Sequence, residues 1–130
     1  MAKFSKTSLN RLYSCHQDIQ KICFKAITIF DFSVLCGYRN KRDQTKAYKQ
    51  KKSQLQYPNS KHNIVPSIAI DLAPYPIDWE DNNRFIYLAG HLMGIALELN
   101  IQLRWGGNWK KDNNLKNNGF NDYAHFELIV

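Results

Sequence analysis

Leu9, Leu12, His16, Ile19, Ile22, Cys23, Ala26 and Ile27 follow one another at spacings of three and four. This stripe predicts one amphipathic helix of about five turns, capped by Thr7 or Ser8. Asp31 closes that region, and the β-rich run Phe32-Ser-Val34-Leu-Cys36 stops at Gly37 as a short strand. A second helix is predicted from Arg42 to about Gln54. It is polar nearly all round apart from Ala47, Tyr48 and Leu55, which makes it peripheral. Tyr57 to Ser60 is a loop, and Pro66-Ser67 forms a further turn. Over Ile68–Leu72 the alternation sets Ile68, Ile70 and Leu72 on one face of a strand and Ala69 and Asp71 on the other. A third helix starts at Asp81 or Asn82 and runs to about Leu99, burying Phe85, Leu88, Leu92, Met93 and Ala96. Ile101–Trp105 is another short strand, closed by Gly106-Gly107. The stretch from Asn108 to Asn121 is expected to be irregular and mobile. Alternation returns at His125, predicting a last strand with His125, Glu127 and Ile129 on one face.

This order of elements predicts an α+β fold, a small and mainly antiparallel sheet covered by helices, in a single domain over residues 1–130. The chain is long enough for a core without staples. No apolar run approaches the roughly 20 residues of a membrane span, so no membrane insertion is expected. The opening Met-Ala-Lys-Phe-Ser-Lys lacks the apolar stretch of a secretory signal, which points to a chain folded in a cytoplasm. Cys15, Cys23 and Cys36 are an odd set with no C-x-x-C pair, and read as reduced core residues.

The net charge of +7 is unevenly placed. Lys41 to Lys61 holds seven basic residues and one acidic, while the remainder is almost neutral. A local basic face is a weaker nucleic-acid signal than a basic domain, though it would hold the chain near a polyanion. A merely solvated helix face explains it equally well.

The chemistry centres on Asp71. A carboxylate near the end of a buried strand costs several kcal/mol, on the order of 2–7 even for an uncharged polar group left unpaired. Hydrogen bonds to backbone or to a nearby base would satisfy it. The sharper reading makes His62 and Asp71 two ligands of one metal, with His125 as the third. Two imidazoles and a carboxylate suit Zn²⁺ and leave a fourth position for water, the pattern of a catalytic site. Asp122, in a loop just before His125, is placed to act as general base. His16 and His91 lack a partner at ligand spacing. There is no H-E-x-x-H helix and no H-x-H pair, so spacing alone leaves other triples open.

Taken together, Ser60-Lys-His62, Ala69-Ile-Asp71 and Asp122-Tyr-Ala-His125-Phe-Glu-Leu resemble the zinc D,D-peptidase superfamily. That superfamily holds D-Ala-D-Ala carboxypeptidases and dipeptidases and is related in fold to the hedgehog signalling domain. The likeness is greatest to phage endolysins acting as L-alanyl-D-glutamate peptidases. Gly37-Tyr-Arg39 with Gln44, Asp71-Leu-Ala-Pro-Tyr75, Ile77-Asp-Trp79 and Leu103-Arg-Trp-Gly106 extend it along the chain.

The resemblance implies one zinc held by His62, Asp71 and His125, and Asp122 as the base that later protonates the leaving amine. It implies that Arg39 polarises the scissile carbonyl or steadies the oxyanion, and that Ser60 and Gln44 contact substrate or support loops. Glu127 is a candidate acceptor for a ligand imidazole. The implied substrate is the peptidoglycan stem peptide, cut by a monomer that is made in the host cytoplasm and reaches the wall after inner-membrane breach. Two features depart from the usual pattern. Eight residues separate His62 from Asp71 where six are usual, with Pro66-Ser67 in place of a midway Gly, so this loop is expected to bulge. The base is Asp where many relatives carry Glu. A D,D-carboxypeptidase, a non-catalytic zinc or wall-binding module and a basic nucleic-acid binder remain as alternatives, with nucleic acid not expected as a partner.

Overall fold

Strands β1 (Phe32–Cys36), β2 (Ala69–Pro74), β3 (Leu103–Trp105) and β4 (His125–Leu128) form one antiparallel sheet in the order β1-β2-β4-β3. The computed structural model describes residues 2–130. Helices α1 (Lys6–Tyr13), α2 (Gln17–Ala26), α3 (Lys41–Lys49) and α4 (Asn82–Glu98) complete the α+β architecture. Period-two alternation gives the sheet two unlike faces. Ile70, Leu72, Phe126, Leu128 and Leu103 turn inward and pack with Ile19, Ile22 and Cys23 of α2 and with Leu88, Leu92 and Ala96 of α4. Each large side chain buried here contributes about 1.5–3 kcal/mol. The opposite face of the sheet carries the chemistry.

The single long first helix expected from the stripe is instead two. His16 donates its backbone N–H to Ser67 O (2.8 Å) and Ser67 returns its own to Ser14 O (2.9 Å), which pulls residues 14–16 out of the helical path. α2 then restarts with the His16 ring as its cap, Nδ1 accepting from Asp18 N at 3.0 Å. α3 ends five residues before the expected Gln54, because Lys51 turns into the left-handed region (φ 61°). α4 begins after its Asp81 cap as expected, and Asn100 leaves it in the left-handed conformation (φ 60°), an ordinary C-terminal device. Cys15 and Cys23 are buried core residues, but Cys36 is only half-buried and stands at the edge of the site.

Candidate metal centre

Sheet register builds the site. Across three strands Cys36, Asp71 and His125 are direct partners, and one pleat further along Ala69, Glu127 and Arg104 form a second row on the same face. A bulge between Val34 and Cys36 inserts Leu35 as an extra residue, and this slip brings Cys36 rather than Leu35 opposite Asp71.

His62 arrives from outside the sheet, on a short 3₁₀ turn over Lys61–Asn63. Ser60 caps that turn: its Oγ accepts from His62 N at 3.2 Å, while Asn63 Oδ1 accepts from Ser60 N at 3.1 Å. Arg39 N donates to His62 O (2.8 Å), tying the turn to the end of β1. The lengthened loop to Asp71 does bulge. Ile64 and Val65 project into solvent, and the chain returns at buried Ser67, whose backbone is stapled to the break between α1 and α2.

His62 Nε2 and His125 Nδ1 converge on one atom, Asp71 Oδ1, at 3.3 and 3.1 Å. Each ring is fixed by its other nitrogen. His62 Nδ1 donates to Gly37 O at 2.7 Å and His125 Nε2 to Glu127 Oε1 at 2.9 Å. Those acceptors cannot donate, so the distal N–H groups point outward and the remaining lone pairs face the carboxylate. Two lone pairs and an anion aimed at one point repel unless a cation stands between them. This donor set fits a divalent metal, and the outward hydrogen bonds are the supports that ligand imidazoles commonly need.

Without a metal, protons serve the same purpose. Burial lowers the pKa of each ring, but Asp71 outweighs it and pushes His62 up to about 10 and His125 to about 9. Burial alone would raise Asp71, yet the two rings hold it below the ordinary carboxylate range. Glu127 is likewise desolvated, but His125 and Lys61 bring it down to about 2.

Cys36 Sγ also belongs here: Cys36, His62 and Asp71 offer ligand atoms within 4.8 Å of one another, a group that could hold a metal ion. The site opens into a cleft of about 580 Å³ lined by Arg39, Lys61, Arg104, Trp109 and Asp122 beside the histidines.

Residues 1–129 match the family described as phage L-alanyl-D-glutamate peptidase. The chain belongs to this family. Among solved structures it is similar to the crystal structure of a Serratia marcescens L-Ala D-Glu endopeptidase, ChiX. Identity is 25%, the match covers 98% of this chain and 90% of that one, and the TM-score is 0.76. A comparison with curated proteins gives no match.

The other residues expected to act in this peptidase take distinct places. Asp122 is half-buried in the cleft wall, and desolvation, then the charge of Asp71, raises its pKa. Its position depends on Gly106, where a Cβ would lie 2.1 Å from Asp122 O. Arg39 reaches Gln44 Oε1 through Nη1 (2.9 Å) and Asp71 Oδ2 through Nη2 (3.5 Å), and lines the cleft. Gln44 is fully buried and does not line the cleft. It accepts from Arg39 and Asn63 and donates to Ser53 Oγ and Leu55 O, so of its two expected roles its contacts are those of loop support. Ser60 lines the cleft but acts locally as the cap of the His62 turn.

The sequence gives Asn63, Lys61 and Trp109 no role, reads Cys36 as a core residue, and carries Arg104 only within the Leu103-Arg-Trp-Gly106 likeness. Only Asn63 left a signal, as the fourth residue of a Ser-x-x-Asn capping pattern. Trp109 stands over His125 with ring centroids 5.5 Å apart, its indole N–H held by Phe120 O at 2.7 Å. Asn118 ties the irregular 108–121 segment to Gly106 O (3.0 Å) and Asn121 (2.8 Å).

Proposed function

We propose that this peptidase is a zinc enzyme that cuts the L-alanyl-D-glutamate bond of the peptidoglycan stem peptide, acting as a monomeric single catalytic domain over residues 1–130. The observation that carries the reading is the convergence of His62 Nε2 and His125 Nδ1 on Asp71 Oδ1, with both outer ring nitrogens anchored. One zinc per chain would be held by these three side chains. When bound, it supplies a Lewis acid and a water acidified to a pKa of about 7.

The chain's own groups supply the remainder. Asp122 takes a proton from the attacking water. Its raised pKa suits it to keep that proton and deliver it to the leaving amine nitrogen. Arg39 is held by Gln44 and Asp71 with donors left over for the oxygen on which negative charge develops, and its guanidinium cannot lose its own charge. Trp109 packs against one side of the His125 ring. The basic face of α3 would hold the enzyme on the anionic wall rather than on nucleic acid. The enzyme would reach that wall from the host cytoplasm once the inner membrane is breached. Among the described residues no helix is long and apolar enough to cross a membrane.

Mass spectrometry of digested muropeptides tests the proposal. The expected product is cleavage after L-Ala, abolished by a chelator and restored by zinc. Loss of a single terminal alanine would identify a D,D-carboxypeptidase instead, and cleavage indifferent to chelators would remove the metal from the mechanism.

A further inference from the structure

Arg104 stands on β3 directly opposite Glu127, and its side chain lines the cleft. The four other arginines of the chain have their guanidinium groups bonded to the protein. Arg39 is held by Gln44 and Asp71, Arg11 by Val34 O at 3.0 Å, Arg84 by Tyr75 O and Pro76 O at 2.8 and 2.7 Å, and exposed Arg42 by its neighbour Asp43 Oδ1 at 3.4 Å. Arg104 differs. Its Nη1 lies 3.6 Å from Glu127 Oε2, within ion-pair range but beyond a hydrogen bond, and its buried Nε has no partner among the described residues.

Glu127 has little left to offer it. Oε1 accepts from His125 and Oε2 from Lys61 Nζ at 2.7 Å, so one negative charge already faces an imidazole and two cations. Along the cleft, Arg39, Lys52, Lys61 and Arg104 outnumber the carboxylates Asp71, Asp122 and Glu127, and Asp71 is occupied by the two rings. A charged fork with unused donors in such a cleft is suited to an anionic acceptor.

We propose that Arg104, assisted by Lys61, forms a carboxylate-binding subsite for the free carboxylate on the glutamate side of the scissile bond. This rests on the peptidase reading above. In a γ-linked L-alanyl-D-glutamate unit, the carbon bearing the scissile nitrogen also bears a free carboxylate. Residues two apart on a strand are about 7 Å apart and adjacent strands about 4.8 Å, so the reach from Arg104 to a substrate centred on the Asp71–His125 row matches an arginine side chain. A planar guanidinium can take that carboxylate through two parallel hydrogen bonds, which an ammonium cannot. The subsite therefore selects substrates whose glutamate is not amidated.

Two synthetic peptides test this, L-Ala-γ-D-Glu-L-Lys and its counterpart in which the free carboxylate is an amide. The wild-type protein loaded with zinc is expected to prefer the carboxylate peptide in kcat/KM on the order of 10- to 100-fold, mostly through KM. In Arg104→Gln that preference collapses towards unity at unchanged zinc content, and in Arg104→Lys it is intermediate. An unchanged preference in Arg104→Gln, or equal loss on both peptides, would overturn the subsite. The lysine variant still decides the matter if the glutamine variant fails to fold. If wild type cuts neither peptide nor sacculi after L-Ala, the peptidase reading itself fails. If it cuts both peptides without preference, only the subsite does.

Discussion

His125 Nδ1 lies 3.1 Å from Asp71 Oδ1, and the two residues are direct partners across the β2–β4 ladder. Backbone pairing thus holds these two proposed ligands at fixed separation, and His62, the third, is brought in by a loop. Cys36 sits on the other side of Asp71 in the same row. Two donor sets therefore share His62 and Asp71, and metal titration separates them. Cys36→Ser is expected to keep one zinc per chain, while His125→Ala loses it. The reverse result would make the thiol the third ligand.

A metal ion bound as proposed must compete with protons at this site. The rings bind metal only when neutral, and in the metal-free chain Asp71 keeps His62 protonated up to about pH 10 and His125 up to about 9, despite the opposing effect of burial. Raising the pH removes the competitor, so apparent affinity should climb across about pH 6–8, by up to tenfold per unit for each proton displaced. Calorimetry in buffers of different ionisation enthalpy should register release of protons on binding. An affinity flat over this range would contradict the raised pKa values of the two rings.

Asp122→Asn removes the proposed base and leaves the proposed ligands. Hydrolysis is expected to fall by a factor on the order of 10²–10⁴ while zinc content stays the same. Unchanged turnover would exclude Asp122 from the chemistry.

At Gly106 a methyl group would meet Asp122 O at 2.1 Å and force the backbone apart. Gly106→Ala should destabilise the fold by about 1–3 kcal/mol and depress activity further than that loss explains, because the displaced segment carries Asp122. Thermal unfolding with kinetics on the folded fraction measures both effects.

The exposed face of α3 presents Lys41, Arg42, Lys46 and Lys49 away from the cleft. Replacing them with Gln should reduce retention on purified sacculi at low salt and leave hydrolysis of short soluble peptides intact. Wild-type retention should weaken as added salt shortens the screening length to about 10 Å at 0.1 M. Retention indifferent to salt would rule out an electrostatic role.

The parts legible in the sequence were those governed by local periodicity. The alternation Ile68-Ala-Ile70-Asp71-Leu72 gives the correct faces of β2, and α4 starts after its Asp81 cap and ends beside Leu99 as its apolar stripe predicts. What stayed hidden depends on partners distant in the chain. The stripe from Leu9 to Ile27 keeps helical spacing straight through Ser14–His16, and only Ser67, some fifty residues away, breaks it. Lys51 ends α3 with a left-handed backbone that its residue type does not announce. Arg104 and Cys36 face the cleft because of sheet register and one bulge, neither of which leaves a residue-type signature.

Although β4 follows every other element in the chain, it lies inside the sheet, between β2 and β3. During synthesis, β2 and β3 cannot gain their shared partner until residues 125–128 have emerged, and a chain halted earlier exposes two unpaired edges. Such a chain also lacks His125 and Glu127. Completion of the sheet and completion of the proposed metal centre therefore both wait on the last strand.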